Sequence, residues 1–311
     1  MKRVAITGVS GYVGGVLLRW LEDQGDVERI VGIDIKPPQT TSYKLSLYSQ
    51  DILQPLGDIF IENKVDTAVH LAFVLKPTRR KTQARDIDVG GVSNFLKACH
   101  ESGVKHIIYL SSHTIYGAYL DNPPLLTEDL PLRPMRDFQY SLDKAESELM
   151  LGEFASSHPD VCVNILRSCP VIGPNAGNSI VTAMFTSVMI RLAGYDPLIQ
   201  FVHEDDLVEL VALLLERKHG GVFNVAGWGE TRYSEIAKLF HRRTVVLPGG
   251  LLRLLLGLLW KLRLQKESPP VGLEFIKHPS IMSIQKLKDE LGFEFKHSSR
   301  EALLSFITAN R

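Results

Sequence analysis

Val4-Ala5-Ile6-Thr7-Gly8-Val9-Ser10-Gly11-Tyr12-Val13-Gly14-Gly15 decides how this chain is read. Val4 to Ile6 has the look of a short buried strand, and glycines follow at once. From Tyr12 to Leu21 the apolar residues recur at helical spacing. A strand, a glycine turn and a helix set backbone N–H groups and a helix N-terminus against a phosphate. Gly8 suits the tight turn, Gly11 lets a pyrophosphate approach the backbone, and Gly14 lets the helix pack close to the strand. Glycines alone are a weak signal, but a strand before and a helix after make this one a dinucleotide-phosphate site. The expected coenzyme contacts in the turn are Gly8, Ser10, Gly11, Tyr12, Val13 and Gly14.

Outward from the turn, Arg29-Ile30-Val31-Gly32-Ile33-Asp34 is a second strand ending in an acid, 20 residues beyond Gly14. A carboxylate there accepts hydrogen bonds from ribose hydroxyls and repels a 2′-phosphate, so Asp34 favours NAD. Lys36, two residues on, leaves NADP as the lesser alternative. Leu45 to Leu47 is a short strand, closed by Asp51-Ile52, where Asp51 can meet an adenine amino group. Pro55 to Asn63 reads as a helix, and Val65 to Ala72 as a strand ending in a small residue where a coenzyme would pass. His70 in that strand is expected to pack, with no chemical role. Thr82 to Ser102 reads as one long helix ended by Gly103. His106 to Ser112 is another buried strand. This β–α alternation predicts an α/β fold: a doubly wound parallel sheet with right-handed crossovers and helices on both faces.

The 311 residues carry 35 Lys plus Arg against 35 Asp plus Glu, so no basic excess points to nucleic acid. The sequence starts directly on its first strand, so no signal peptide is expected ahead of the fold. Cys99, Cys162 and Cys169 are odd in number, lie in or beside apolar runs, and read as free thiols of a reducing, cytoplasmic compartment. No Cys or His pair has zinc-ligand spacing, so no metal is expected.

Prolines at 123, 124, 131 and 134 mark Tyr116 to Phe138 as a long surface loop. Tyr140-Ser141-Leu142-Asp143-Lys144 then opens a helix running to Ala155. Four residues apart, Tyr140 and Lys144 share a helical face. A lysine cation beside the phenol is expected to lower its pKa from near 10, so that Tyr140 serves as acid and base toward an alcohol. Ser112, at the end of a central strand, sits where ligands of such sheets bind and can hold the same substrate oxygen. Val161 to Arg167 is a strand, Ser168 to Pro174 a turn, and Ile180 to Ala193 a helix. Phe201 to Leu207 begins another helix, with acids in its first turn. Gly221 to Ala226 is the last good strand, and Lys286 to Phe293 and Ser299 to Ala309 are short helices. Leu251 to Leu264 is unusually apolar but interrupted by Arg253, Lys261 and Arg263, and short of the roughly 20 residues that span a membrane. It is expected to be a core helix; a lid over an apolar substrate, or contact with a membrane surface, is the sharper alternative.

Taken together these motifs resemble the extended short-chain dehydrogenases/reductases, the NAD-dependent epimerase/dehydratase family with its UDP-glucose 4-epimerase-like members. The likeness runs in order through Thr7-Gly8-x-x-Gly11-x-x-Gly14, Asp34, Asp51-Ile52, His70-Leu71-Ala72 and Ser111 to Gly117. It continues with Tyr140-x-x-x-Lys144, Arg167 to Pro174, Phe201 to Leu207 and Phe223 to Gly227. It implies a Rossmann domain over residues 1–170, joined again by a strand near 199–226, and a mostly substrate-binding region over 171–311 made of discontinuous segments. It implies Ser112, Tyr140 and Lys144 as the catalytic trio, and adds Ile52, Leu71, Ala72, Tyr140, Lys144 and Pro170 to the coenzyme contacts. It also implies a homodimer packed through Thr82–Ser102 and Tyr140–Ala155. The chain departs from the family pattern in three respects. Asp88 stands where an Asn is common. Pro170 and Ile172 replace the usual Asn and Tyr. Leu198-Ile199-Gln200 takes the place of an Arg that binds a substrate diphosphate, and His278-Pro279-Ser280 lies where a later Arg element would be.

The expected function is hydride transfer between a secondary alcohol and NAD, with a nucleotide sugar as substrate. A less charged, hydroxysteroid-like or lipid-like alcohol is the alternative that the missing Arg and the leucine-rich stretch favour. A non-catalytic protein that senses NAD(H) is the rival from another class.

Overall fold

The computed structural model describes residues 1–75, 80–177, 188–217, 219–262, 270–278 and 280–310. Seven parallel strands build its centre: β1 (Lys2–Thr7), β2 (Val27–Asp34), β3 (Leu45–Ser49), β4 (Thr67–His70), β5 (His106–Ser112), β6 (Cys162–Ser168) and, after four short strands, β11 (Gly221–Val225). Their order across the sheet is β11-β6-β5-β4-β1-β2-β3. Two-residue alternation gives the sheet two buried faces. Val4, Ile6, Ile30 and Ile108 join the core beneath helices α1 (Tyr12–Glu22) and α6 (Glu204–Glu216). Ala5, Val31, Ile107 and Tyr109 join the opposite core, against α2 (Gly57–Glu62), α4 (Gly91–Ser102) and α5 (Gln139–Ser157). The doubly wound α/β sheet expected from the motif order is therefore the fold.

The register places the site. Thr7 lies opposite His70, His70 opposite Tyr109, and Ser112 opposite Ser168. The chain thus leaves β1, β4 and β5 side by side at the carboxyl edge, at Gly8, Leu71 and the turn after Ser112.

Around this frame lie small parallel or antiparallel pairs. β7 (Val171–Ile172) pairs with β10 (Val202–His203), and β9 (Leu198–Ile199) with β12 (Thr231–Arg232). β8 (Val188–Leu192) pairs with β13 (Arg243–Leu247). The helix expected over Ile180–Ala193 is thereby corrected: 180–187 lie outside the described residues, and Val188–Leu192 is strand. Met189 and Leu192 are buried while Ile190 faces out, and β13 supplies the partner that no local pattern announces. The helix expected from Phe201 begins only at Glu204, after β10, with the His203 ring accepting from the Asp205 N–H at its N-terminus. The single helix expected over Thr82–Ser102 is three pieces: α3 (Lys81–Arg85), one π-helical turn over Asp86–Gly90, then α4.

The leucine-rich stretch forms α8 (Gly249–Lys261). It is not a core helix. Leu252 packs with Leu192 and Leu273, but the leucines at 251, 254, 255, 258, 259 and 262 are 36–69% exposed. The helix leans on a small satellite cluster, and nothing else among the described residues covers its outer side. No disulfide joins the three cysteines, and no described helix is long and apolar enough to cross a membrane.

Candidate active site

The glycine turn is closed against its neighbours. Gly8 has φ +74°, and a Cβ there would stand 2.7 Å from the Ala72 nitrogen. A Cβ on Gly14 would lie 2.3 Å from the Gly8 carbonyl oxygen. Only glycine permits this packing at either place. Gly11 caps α1 without a side-chain hydrogen bond, and the first turn carries no acid, so its N–H groups remain available to an anion. Asp34 fastens the turn: one carboxylate oxygen accepts from the Ser10 N–H at 3.0 Å, the other from the Lys36 N–H at 3.1 Å. Each oxygen keeps a further lone pair for a ribose hydroxyl. These features fit the adenosine and pyrophosphate of a dinucleotide.

The other turn residues divide. Val13 packs into the core beneath the sheet, so only its backbone is left for a ligand. The Tyr12 hydroxyl donates to the buried carboxylate of Glu204, which also accepts from the Asn175 side chain. Burial and Glu204 push the Tyr12 phenol well above the ordinary range. Glu204 thus ties the turn to the segment after β7, and a Cβ on Gly173 would collide with it at 2.5 Å. Sequence reading missed this link, which spans 192 residues of chain. Asp51 accepts from the Leu53 N–H at 3.0 Å and shapes its own exposed turn, while Ile52 is buried against Gly91. Leu71 hangs its N–H on the Thr7 carbonyl, and the Pro170 carbonyl accepts from Val202.

Ser112, Tyr140 and Lys144 converge at the same edge. The Ser112 hydroxyl accepts from Thr114 Oγ1 at 3.0 Å and from the Thr114 N–H at 3.3 Å. Lys144 is buried; its Nζ donates to the Leu110 carbonyl at 2.5 Å and sits 3.7 Å from the Phe73 ring centre and 6.0 Å from that of Tyr140. Burial pushes the Tyr140 phenol up to about 12, with Ser112 opposing and Asp88 adding to the rise. The lowered phenol pKa expected from the Tyr–Lys spacing is therefore not what the structure gives. The ammonium turns toward a carbonyl and an aromatic face, while burial disfavours phenolate. Burial likewise lowers Lys144 to about 7, against the pull of Asp88 and Glu148.

Asp88 stands on the π-helical turn, 1% exposed, and accepts from the Val74 N–H at 2.7 Å. Burial raises it to about 7. The phenol is walled by aromatic rings: Phe73 at 5.5 Å and Phe138 at 5.8 Å, with Phe275 packed 5.9 Å beyond Phe138. Their scattered sequence positions gave no signal of this wall. His70 is fully packed between Phe95 and Tyr109, and burial lowers it to about 3. Gln200, at the departed Arg position, is buried and clamps the Met282 backbone, accepting from its N–H at 2.7 Å and donating to its carbonyl at 3.2 Å. Among the described residues no cluster of three or more His, Cys, Asp or Glu converges as metal ligands do.

The family model described as NAD dependent epimerase/dehydratase matches residues 4–226. The chain belongs to that family. Within the family's reach lie the glycine turn, Asp34, the Ser112–Tyr140–Lys144 group and β11. The uncharacterised protein Rv0501 of Mycobacterium tuberculosis is 23% identical over 97% of this chain and 82% of its own. MoeE5, solved with UDP-glucuronic acid and NAD, matches 99% of both chains with a TM-score of 0.79 at 20% identity. The UDP-glucose 4-epimerase of Thermotoga maritima, solved with UDP-glucose, gives a TM-score of 0.78 at 20% identity over 99% of this chain and 98% of its own. At these identities the structural likenesses show the same fold.

Proposed function

We propose that this family member binds NAD along Gly8–Gly14 and Asp34 and interconverts a secondary alcohol and its ketone, with Tyr140 moving the proton. The observation that carries this is the meeting, at one sheet edge, of the closed glycine turn with Ser112, Tyr140 and the Lys144 ammonium held by the Leu110 carbonyl. When bound, NAD supplies the hydride acceptor. Ser112 holds the substrate oxygen, and the Tyr140 phenolate takes its proton; in the reverse direction the phenol returns it. Lys144 stands behind the phenol, its Nζ 6.0 Å from the ring centre and held by the Leu110 carbonyl. Phe73 and Phe138 set aromatic rings against the phenol.

The family and its fold support a nucleotide sugar as substrate. One observation favours a second reading, a less charged alcohol. Gln200 is committed to the Met282 backbone where relatives of the sugar-epimerase type carry Arg for a diphosphate, and the phenol faces aromatic rings. A homodimer through α4 and α5 belongs to the same reading, supported by Leu149 on α5, which is 60% exposed.

Tyr140→Phe tests the core claim. The variant is expected to bind NAD as the unaltered chain does and to lose turnover by roughly 10²–10⁴-fold, the usual weight of a positioned acid–base group. The assay follows UDP-glucose and UDP-galactose interconversion in parallel with NADH formation from a panel of apolar secondary alcohols. Undiminished turnover by Tyr140→Phe removes the proton-transfer role. NAD binding with no turnover on any substrate by the unaltered chain favours the non-catalytic sensor.

A further inference from the structure

We propose that α8 is a docking surface for anionic lipid, seating the protein on a membrane face without crossing it. Leucines at 251, 254, 255, 258, 259 and 262 are 36–69% exposed, whereas Leu252, on the flank just beyond Leu259, is 3% exposed. At about 100° per residue those six cover an arc of about 140° on the helix. A helix serving only the fold turns its broad apolar arc inward; here the broad arc faces out and a narrow one holds the helix down. On β13, joined to α8 through Pro248, Val245 and Val246 are also exposed, at 44% and 53%. Six exposed leucines on one arc of a helix call for a partner.

Charge names the partner. Between Glu235 and Glu267 the sequence has no Asp or Glu, while Arg242, Arg243, Arg253, Lys261, Arg263 and Lys266 all stand in that stretch. The whole chain has equal numbers of acids and bases, so the positive charge here is a local concentration. Arg253 and Lys261 border the same open surface as Leu254 and Leu258. On the helix wheel Lys261 falls at one edge of the leucine arc, about 20° from Leu254, and Arg253 stands about 80° further round on the same side. Exposed leucines edged by cations are what an interfacial helix presents to acyl chains and anionic headgroups. A second copy of the chain would bring like charge against like charge across a two-fold contact.

The inner side links this surface to the site. Leu252 and Leu256 pack with Leu273 and Ile276, and Phe275 between those two lies against His113 and Phe138. One packed layer separates the docking helix from the aromatic wall near Tyr140.

The test is flotation of the full chain with phosphatidylcholine vesicles, with and without phosphatidylglycerol, in low and high salt. The protein is expected to float with the anionic vesicles, less in high salt and little with phosphatidylcholine alone. Leu254→Ser combined with Leu258→Ser replaces exposed side chains, so the melting temperature is expected to hold within a few degrees while vesicle binding falls at least tenfold. Protein left at the bottom of the gradient with every vesicle overturns the proposal. So does equal flotation by the double variant. A lipid-free dimer broken by that variant, or capture of an acidic polypeptide by α8, with no flotation, assigns the surface to a protein and equally overturns it.

Discussion

Asp88 shows how a single side chain can set the electrostatics of this site. Its carboxyl is raised to about 7 by burial, so between about pH 4 and 7 the folded chain binds a proton that the unfolded chain has released. Stability therefore falls as pH rises through that window. Lys144 works in the opposite sense: lowered to about 7, it is neutral in the fold and charged when unfolded between about pH 7 and 10.5, where stability rises with pH. In Asp88→Asn the amide oxygen keeps the Val74 hydrogen bond, and the lower slope is lost. Removing the carboxylate also lets Lys144 fall further, starting the upper rise at lower pH. Urea unfolding at pH 5 and pH 7 is expected to show the variant gaining about 1–3 kcal/mol more on the unaltered chain at the higher pH. Equal stability differences at both values would mean that Asp88 is ionised throughout. The identity of Asp88 was visible in the sequence as a departure from family pattern. Its burial was not, because the π-helical turn that points it inward follows from packing against α5 rather than from any local periodicity.

The elements read most easily were those whose neighbours are close in sequence. β1, α1 and β2 declare themselves by buried runs and a glycine turn, and adjacent glycines there give a sharp comparison. Gly14→Ala would push a Cβ to 2.3 Å from the Gly8 carbonyl oxygen and 2.8 Å from Val9 backbone atoms. Backbone cannot step aside as a side-chain tip can, so the variant is expected to lose about 1–3 kcal/mol and to weaken NAD binding. A Cβ at Gly15 meets nothing within 4 Å, and helical Gly15→Ala is expected to gain about 0.5–1 kcal/mol from reduced freedom of the unfolded chain. Thermal melts of the pair decide it; coincident melting temperatures would show that the turn is not packed as described. Elements with distant partners were read poorly. β8 and β13 pair across about fifty residues, so Val188–Leu192 passed for the end of a helix. α8 was misjudged for a related reason: its leucines carry a strong helical signal but no sign of which side the fold would cover.

At the scale of the molecule, one buried polar cluster joins parts that the chain order keeps apart. Arg167 on β6 donates from Nε at 3.0 Å and Nη2 at 2.9 Å to Glu148 on α5, and both side chains are under 10% exposed. Ser111 on β5 donates to the other Glu148 oxygen. Arg167 Nη1 reaches the Tyr116 hydroxyl at 2.8 Å and the Glu128 carbonyl at 2.9 Å. Asn224 on β11 accepts from Tyr116 and donates its N–H to the Glu128 carboxylate and its amide to Leu126. Leu126 in turn pairs with Ile281 and Ser283 of the C-terminal part. The proline-rich stretch that reads as a surface loop is thus pinned to the sheet, the Tyr140 helix and the C-terminal part at once. Arg167→Met leaves Glu148 buried without its cation, a loss expected to cost about 3–5 kcal/mol at pH 7.5. Burial already raises the Glu148 carboxyl, and Arg167 and Ser111 hold it down. Without Arg167 its pKa climbs further, so at pH 5 it takes up a proton in the fold and part of the loss is recovered. Combining Arg167→Met with Glu148→Leu removes both charges and is expected to restore most of the stability, since a buried pair replaced by apolar side chains is often neutral. Denaturant unfolding of the four proteins at both pH values closes the cycle. A single-variant cost below about 0.5 kcal/mol, the range of ordinary surface substitutions, would show that this cluster does not bind the parts of the molecule together.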